Sequence, residues 1–408
     1  MMGRNPDGRG KGWGNALIYL DHAATSWPKP ACVGRAILTT MTDAGGNPGR
    51  SAHPLSMRAA ETVFSAREHT AEFFGVPEPE NVLFYPNATW AINTVLHSFG
   101  VKRSDGRIPR ILVSGMEHNA VVRPLYDMEM RGEVMWDVYP VFRGAQGMLS
   151  EEEILSEIRR RITRDTALVC ACHVSNVCGA ALPIGKIGGL CRARGIPFLV
   201  DASQSAGMYD IHVERDNIDY LCTAGHKALL GPQGSGLLLL GGNAPVPRSL
   251  VQGGNGVASL SPAMPDFLPE ALEAGTLAAP IIAGLDAGIR YLSAVGLDTV
   301  RGETHRLYER MREMLLSLDG VTLYQSALPR GTALSFGVRG MSCMRVSEAL
   351  GRDGICTRAG FHCAPFAHRA FGTENDGTVR VSVGWGNTMR DAEIFYRAMK
   401  RICGEGAS

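Results

Sequence analysis

The 408-residue sequence lacks any apolar run close to the ~20 residues that a membrane-spanning helix needs. It also lacks an excess charge, since 41 basic and 40 acidic side chains give a formal net charge of +1. No overall field therefore attracts nucleic acid or an anionic membrane. Residues 1–16 are rich in glycine and contain no apolar segment, so we interpret them as a flexible tail and not a secretory signal. These absences predict a soluble, cytoplasmic protein.

A regular cysteine framework is also missing. The ten cysteines show no paired C-x-x-C spacing, and in a large chain without a signal they are expected to be free thiols in a reducing compartment. Cys170, Cys172 and Cys178 are the best candidates for metal ligands. The stretch VCAC, however, has the character of a buried strand, so we expect no metal site.

What the sequence does contain is an alternation of helix and strand patterns. Residues 150–162 start with Ser150, and Glu153 follows three positions later, which is typical of a capped helix. Residues 166–174 and 196–203 are short apolar strands. The alternation predicts a mostly parallel sheet covered by helices, with ligands at the carboxyl ends of its strands.

The pattern changes near residue 284. Residues 299–318 have the periodicity of a long amphipathic helix, and short alternating strands such as TVRVSVGW follow. The chain length favours two lobes. We predict a tail over 1–16, a large cofactor-binding α/β domain over 17–283, and a smaller α+β domain over 284–408.

Two residues suggest the chemistry. Lys227 lies in the glycine-rich stretch TAGHKALLGPQGSG, and Asp201 directly follows an apolar strand, where alone it could be a turn or capping residue. A lysine amine whose pKa is lowered can capture a carbonyl cofactor as a Schiff base. A carboxylate beside a pyridine nitrogen makes such a cofactor an electron sink. The pair points to pyridoxal 5′-phosphate (PLP).

A phosphate-binding segment is also present. The stretch YPNATWAINTVLHSF predicts a turn followed by a helix, with free backbone amides at Asn87, Ala88 and Thr89. Helix N-termini favour anions, so this segment could hold the cofactor phosphate. An ordinary capped helix is the alternative.

The chain resembles a known family along residues 17–390. The resemblance is carried, in order, by nine motifs: YLDHAATSWPKP, NPGRSAH, NATWAIN, EHNAVVRPL, HVSNVCG, VDASQSAG, GHKALLGPQGSG, EAGT and RAGFHCAP. It is similar to class V aminotransferase-fold enzymes, and more narrowly to the Suf-type cysteine desulfurase/selenocysteine lyase branch. The resemblance implies the PLP-dependent transferase fold type I, with a large domain built on a mostly parallel mixed sheet and a smaller α+β C-terminal domain.

The resemblance also implies roles toward the cofactor. Lys227 would bind it covalently, Asp201 would pair with the pyridine nitrogen, and Gln204 would contact the phenolic oxygen. His118 would stack on the ring and move protons, unless it is simply a satisfied histidine at a strand end. The residues implied to hold phosphate are Ala88, Thr89, His226 and, toward a neighbouring subunit, Thr276. Thr276 therefore implies a homodimer with shared sites.

For the substrate, the resemblance implies that Asn176 and Arg380 hold the carboxylate, and Arg358 and His53 are further candidates. Arg380 interrupts the alternating valines of TVRVSV, so its side chain should point away from them. A guanidinium can grip a carboxylate with two parallel hydrogen bonds. A solvated arginine on the strand surface is the alternative.

Cys363 lies in RAGFHCAP, between two strands of the small lobe. Most free cysteines are small buried hydrophobes. Here a flexible loop would give exposure, and Arg358 and His362 could favour the reactive thiolate. The resemblance implies that Cys363 accepts sulfur from L-cysteine as a persulfide, releasing L-alanine. A dedicated acceptor protein would then receive the sulfur for iron–sulfur cluster or other thio-cofactor assembly.

Other interpretations remain open on the sequence. A selenocysteine lyase would release selenium from L-selenocysteine on the same scaffold, and an aminotransferase or another lyase would leave Cys363 without a task. A non-catalytic dimer that binds partners is a different class. Four positions depart from the family pattern: His22, Ala224, Asn255 and Trp385. Ala224 replaces a phosphate-binding hydroxyl, and the adjacent Thr223 should point to the opposite face of its strand.

Overall fold

The computed structural model describes residues 17–49, 51–100, 106–144, 147–324 and 331–405. Its helices are α1 (Ala31–Asp43), α2 (Pro54–Phe74), α3 (Ala88–Ser98), α4 (Asn119–Met130), α5 (Glu151–Arg161), α6 (Ile184–Arg192), α7 (Ala279–Val295), α8 (Leu297–Leu316), α9 (Cys343–Arg352), α10 (Pro365–Phe371) and α11 (Met389–Glu405). Its strands are β1 (Ile18–Tyr19), β2 (Val82–Tyr85), β3 (Arg110–Ser114), β4 (Met135–Tyr139), β5 (Thr166–Cys172), β6 (Phe198–Asp201), β7 (Tyr220–Ala224), β8 (Gly236–Leu240), β9 (Val321–Tyr324), β10 (Ala333–Val338), β11 (Ile355–Cys356), β12 (Arg358–Gly360) and β13 (Thr378–Ser382).

A seven-stranded sheet forms the centre of the large domain, in the order β2-β8-β7-β6-β5-β3-β4. The pairs among β7, β6, β5, β3 and β4 are parallel, and β8 is antiparallel to both of its neighbours. The central strands are buried on both faces, as continuous apolar runs predict. The predicted mostly parallel, mixed sheet is confirmed, and the apolar stretches 166–174 and 196–203 are its strands β5 and β6.

The predicted helix over 150–162 is α5, and it begins with the capping arrangement that its sequence indicates. Ser150 Oγ accepts from Glu153 N at 3.3 Å, and Ser150 N donates to Glu153 Oε2 at 2.8 Å. Ile154 and Ile158 are fully buried against the sheet. Burial of each such side chain stabilises the fold by roughly 1.5–3 kcal/mol.

The small domain has its own four-stranded antiparallel sheet, in the order β12-β13-β10-β9. Val379 and Val381 of β13 pack into a second core with residues of α8 and α11. The predicted amphipathic helix over 299–318 corresponds to α8. The chain's first strand also belongs here, because β1 pairs with β11 and its Ile18 joins the same core.

The predicted domain boundaries stay a prediction, and the packing of α7 and of the chain's first strand bears on them. The boundary at 283/284 falls inside α7, whose buried residues join the large core together with those of α2. The chain leaves this helix at Gly296, where φ is 86° and a glycine is favoured. Residues 17–20 pack with the small domain, not the large one. The predicted tail over 1–16 lies outside the described residues.

The described residues contain neither a single membrane-spanning helix nor a cluster of metal-binding side chains. No single described helix has the length and apolarity to cross a bilayer, and only α7 and α8 taken together pass that test, with a bend of 85° between them. Within the same ranges, no group of three or more His, Cys, Asp or Glu residues could hold a metal ion. Cys170, Cys172 and Cys178 are buried free thiols.

Candidate active site

A cavity of about 170 Å³ opens beside the carboxyl ends of β5 and β6, beyond the end of β7. Eight of the predicted site residues line it together: Ala88, Thr89, His118, Asn176, Asp201, Gln204, His226 and Lys227. The remaining lining residues are Asn87, Ile92, Ala120, Cys172, Ser203 and Ala224. Positions more than 100 residues apart in sequence thus converge on one space, as ligand sites in open α/β sheets do.

Lys227 lies in the tight turn that follows β7. Gly225, two residues before it, has no room for a side chain: a Cβ there would lie 2.3 Å from Ser235 Oγ. Burial lowers the pKa of the Lys227 amine, while the Asp201 carboxylate opposes this shift and Arg380 adds to it. A desolvated amine of this kind is a better nucleophile than an exposed one.

Asp201 is the last residue of β6 and is buried. Its Oδ1 accepts from Ser203 N at 2.9 Å, so it does act as a turn residue. The same carboxylate also lines the cavity opposite Lys227. The two interpretations of Asp201 are therefore compatible.

His118 caps helix α4 and lines the cavity at the same time. Its Nδ1 accepts from Ala120 N at 3.0 Å, which leaves Nε2 to carry the proton of the neutral ring. Burial lowers the pKa of His118, and the nearby charges of Lys227 and Arg358 lower it further, against Asp201. The ring is therefore an uncharged donor at the cavity wall.

Glu117 lies directly beneath this wall and is fully buried. Its Oε1 accepts from Ser114 Oγ at 2.5 Å and from Cys172 N at 2.7 Å. Burial raises the pKa of Glu117 to about 7, although these hydrogen bonds work in the other direction, and Asp201 adds to the rise. No pattern in the sequence singled this residue out.

The N-terminus of α3 faces the cavity through Ala88 and Thr89. Asn87 Oδ1 accepts from Trp90 N at 3.1 Å. The two amides before it, those of Ala88 and Thr89, have no acceptor within the helix because they lie in its first turn. Thr223 Oγ1 bonds to Ala202 O at 3.3 Å on the other side of β7, while Ala224 lines the cavity. The expected opposite orientation of Thr223 is confirmed.

Several buried polar atoms at the cavity have no protein partner in the described structure. They are Ser203 Oγ, Asn176 Oδ1 and His226 Nδ1. Buried polar groups are nearly always hydrogen-bonded, so these atoms indicate a polar ligand. With the desolvated amine of Lys227, the carboxylate of Asp201 and the helix N-terminus, the donor set fits PLP. Ser203 was missed by the sequence analysis, although its position two residues after Asp201 could have suggested it.

Arg380 is almost completely buried, with 1% of its surface exposed, so the solvated alternative is wrong. Its side chain points away from the valine core, as predicted. Nη1 donates to Asn176 O at 3.1 Å, Nη2 donates to Asp21 Oδ1 at 2.7 Å, and Nε has no partner among the described residues. Arg358 lies directly opposite Arg380 in the β12–β13 pair, and its side chain is exposed.

Cys363 lies in a tight turn that docks on the cavity. Asn119 N donates to Cys363 O at 2.8 Å, and Asn176 Nδ2 donates to His362 O at 2.5 Å. The thiol is partly exposed. The expected flexible loop is therefore a restrained turn in which both His362 and Cys363 have positive φ, and Arg358 belongs to a strand.

The expected contribution of His362 to a thiolate is wrong. The ring is buried under β13, and its Nε2 lies 3.1 Å from Thr378 Oγ1. Burial, followed by the charge of Arg380, lowers the pKa of His362 to about 2. The imidazole is uncharged at neutral pH and supplies no cation to Cys363, so Arg358 is the remaining candidate for that charge.

Thr276 and His53 do not reach the cavity of their own chain. Both are exposed; Asn47 Nδ2 lies 3.5 Å from Thr276 Oγ1, and His53 Nδ1 accepts from Ser56 N at 3.3 Å as the cap of α2. Their predicted roles stay predictions. The predicted role of Thr276 involves a neighbouring subunit.

Known proteins match this chain over nearly its whole length. Residues 18–395 match the family described as "Aminotransferase class-V". A "Probable cysteine desulfurase" of Methanothermobacter thermautotrophicus is 30% identical over 395 residues, covering 95% of each chain. A "Probable cysteine desulfurase" of Mycolicibacterium paratuberculosis is 33% identical over 97% of this chain. The match spans only 56% of that longer relative. A solved cysteine desulfurase from Thermococcus onnurineus NA1, in its apo form, has a TM-score of 0.84 at 27% identity and 95% coverage of both chains.

Fold and cavity together define a PLP-dependent enzyme of fold type I. The chain belongs to the class V aminotransferase family and, within it, to the cysteine desulfurases.

Proposed function

We propose that this protein is a cysteine desulfurase that converts L-cysteine to L-alanine and takes the sulfur onto Cys363. The observation that carries the proposal is the docked turn: the carbonyls of His362 and Cys363 bind Asn176 and Asn119, both of which adjoin the cavity of Lys227. The turn that carries the Cys363 thiol is thereby anchored to residues at the edge of the cavity that contains Lys227. An aminotransferase would have no use for this thiol.

Each residue's role follows from its place. Asp201, His118 and the amides of α3 line the cavity and would hold PLP, and Arg380 and Asn176 would orient a substrate carboxylate. When bound, PLP withdraws electrons from the substrate's α-carbon and so acidifies its proton. The Lys227 amine would accept that proton, and the lowering of its pKa by burial favours the neutral form that this role needs.

The sulfur step needs no external oxidant. The Cys363 sulfur attacks the substrate sulfur, a sulfur–sulfur bond forms, and the carbon–sulfur bond breaks with its electrons moving to the substrate carbon skeleton. Reprotonation of that skeleton gives alanine, and Cys363 is left as a persulfide. An acceptor thiol that attacks the outer sulfur takes it as its own persulfide and leaves Cys363 as a free thiolate. With dithiothreitol as the acceptor, its second thiol then attacks the inner sulfur of the new persulfide, closes a cyclic disulfide and releases sulfide.

The direct test incubates purified holoenzyme with L-cysteine and dithiothreitol and quantifies alanine and sulfide. We expect equal amounts of the two products. Cys363→Ser should abolish both, and Cys403→Ser, which removes a partly exposed thiol from α11, should abolish neither. Pyruvate in place of alanine would overturn the proposal in favour of a lyase.

The Cys363→Ser variant also distinguishes a cysteine desulfurase from a selenocysteine lyase. The carbon–selenium bond is weaker, so a selenocysteine lyase could retain turnover of L-selenocysteine without Cys363. Loss of both activities in Cys363→Ser supports the desulfurase. Retained selenocysteine turnover, with no desulfuration by the wild type, would favour the lyase.

The proposal includes a homodimer with shared sites and a sulfur-acceptor protein. Exposed apolar side chains on α1 and α2 support the dimer, because monomeric proteins rarely expose such groups together. Delivery of the persulfide to iron–sulfur cluster or other thio-cofactor assembly is the pathway that we propose for the product. Transfer of radiolabelled sulfur from the enzyme to candidate acceptors tests this part.

A further inference from the structure

Residues 21–29 run between the two cores and contact the active site at more than one point. Ala23 N donates to Ser382 Oγ of β13 at 2.8 Å, which ties the segment to the small domain. Gln204 Nε2 donates to Ala23 O at 2.9 Å, which ties it to the cavity. The segment then reaches the turn that carries Lys227.

The segment contacts this turn through hydrogen bonds to the carbonyl oxygen of His226. This oxygen accepts from Ser26 N at 3.0 Å, from Thr25 Oγ1 at 3.0 Å and from Lys29 Nζ at 2.6 Å. Ser26 Oγ accepts from Lys29 Nζ at 2.6 Å and donates to the carbonyl of Lys227 at 2.7 Å. Ser26 Oγ also lies 3.2 Å from the His226 carbonyl oxygen, so donors from Thr25, Ser26 and Lys29 surround this oxygen and restrain the peptide from several directions.

Lys29 is the charged member of this network. Its amine lies in a half-buried position, and burial alone lowers its pKa, to about 8, with no offsetting carboxylate among the described residues. Its positive charge also contributes to lowering the pKa of His226 to about 4. Partial burial of a cation is costly unless hydrogen bonds compensate, and both oxygen contacts found for Lys29 Nζ serve the Lys227 turn.

We propose that Lys29 is a positioning residue for Lys227: its ammonium group fixes, through the His226 carbonyl and the Ser26 hydroxyl, the turn that presents the Lys227 amine to the cavity. The inference rests on the proposed function only in that Lys227 is taken as the reactive amine. The restraint on the turn is a property of the chain itself.

The test is amide hydrogen exchange of the full-length protein, with and without PLP, at a peptide covering residues 223–231. The amides of Leu230 and Gly231 report on the turn, since they bond to Lys227 O and Gly225 O at 2.9 Å each. In Lys29→Met we expect their exchange to be about tenfold faster, because a charge-assisted hydrogen bond is lost. Lys29→Arg should exchange like the wild type, and Lys400→Met, on the exposed face of α11, should have no effect.

A second readout is the rate at which the PLP absorption band of the lysine adduct appears in cofactor-free protein. It should slow about tenfold in Lys29→Met and recover in Lys29→Arg.

Should Lys29→Met not fold, Lys29→Gln keeps a donor without charge and should exchange faster than wild type. The inference is overturned if the amides of Lys29→Met exchange at the wild-type rate. It is also overturned if Lys29→Arg exchanges as fast as Lys29→Met. A wild type that forms no adduct overturns the proposed function, while the exchange result still decides the role of Lys29.

Discussion

Glu117 is a fully buried carboxyl group, and burial raises its pKa to about 7. Its neighbours are Ser114 on its own segment, Cys172 on β5, Asp201 on β6 and Tyr139 on β4. Asp201 is the one other carboxyl group among them, and its electrostatic effect raises the pKa of Glu117. The folded-state pKa of about 7 lies above the ordinary value of 4.5, so folding favours the protonated form. Its contribution to stability is complete below pH 4.5 and is lost as the pH rises toward 7.

Glu117→Gln should therefore stabilise the protein relative to wild type as the pH increases. Glutamine keeps the acceptor for Cys172 N and cannot ionise. Between pH 4.5 and 7, the difference in the free energy of unfolding between the variant and the wild type should grow by up to about 3 kcal/mol in favour of the variant. Urea unfolding of the cofactor-free protein at several pH values measures this difference. A gap that stays constant with pH would contradict it, and Glu393→Gln, at an exposed ion pair of α11, should change stability by less than about 1 kcal/mol throughout.

At this scale the sequence identified residue types well and their surroundings poorly. Lys227, Asp201 and Arg380 follow from motifs and strand ends, because strand alternation determines which way a side chain points. His362 does not follow, since a loop sequence gives no information on whether a ring faces the neighbouring thiol or the core beneath it. Glu117 was missed for the same reason: burial of a charged residue depends on contacts from three separate strands.

Among the secondary-structure elements, β7 carries the position at which the predicted phosphate site departs from the family pattern. Ala224 faces the cavity, and Thr223 faces the opposite layer. The alternation of a strand makes these two positions non-equivalent although they are adjacent. The hydroxyl of Thr223 therefore cannot substitute for the one that Ala224 lacks.

Ala224→Ser should restore a hydroxyl to the cavity and tighten PLP binding about tenfold, because hydrogen bonds to charged groups are stronger than neutral ones. The measurement is a PLP titration of cofactor-free protein, followed by the absorption of the lysine adduct. Thr223→Val is the matched control; it loses only its bond to Ala202 O and should leave PLP affinity unchanged. If Thr223→Val weakens PLP binding and Ala224→Ser does not strengthen it, the assigned phosphate side of the cavity is wrong.

Local signals predicted individual elements, but not how they divide between the cores. The capping residues of α5 and the apolar runs of β5 and β6 are read within about ten residues of sequence. The membership of α7 in the large core, and of β1 in the small one, depends on contacts with segments more than 200 residues away. No local pattern contains that information.

On the scale of the whole molecule, one chain does not complete the predicted site. Thr276 and His53 are exposed outside the cavity, and large apolar side chains are exposed on α1 and α2: Leu38, Met41, Met57 and Phe64. Leu38 and Met41 are three residues apart and Met57 and Phe64 seven, so each pair shares a helix face. Burial of these faces by a second copy would bring residues of two chains together.

The double variant Leu38→Asp/Met41→Asp should consequently be monomeric, since charges placed in an apolar interface stay unpaired when buried. We also expect it to bind PLP at least about tenfold more weakly, because Thr276 of one subunit would no longer reach the other's phosphate. Analytical ultracentrifugation and PLP titration measure the two effects.

Met130→Asp, at a side chain of α4 that is 70% exposed, should remain dimeric with unchanged affinity. A double variant that is still a dimer would place the interface elsewhere, and a monomer with full PLP affinity would show that each chain holds its cofactor alone.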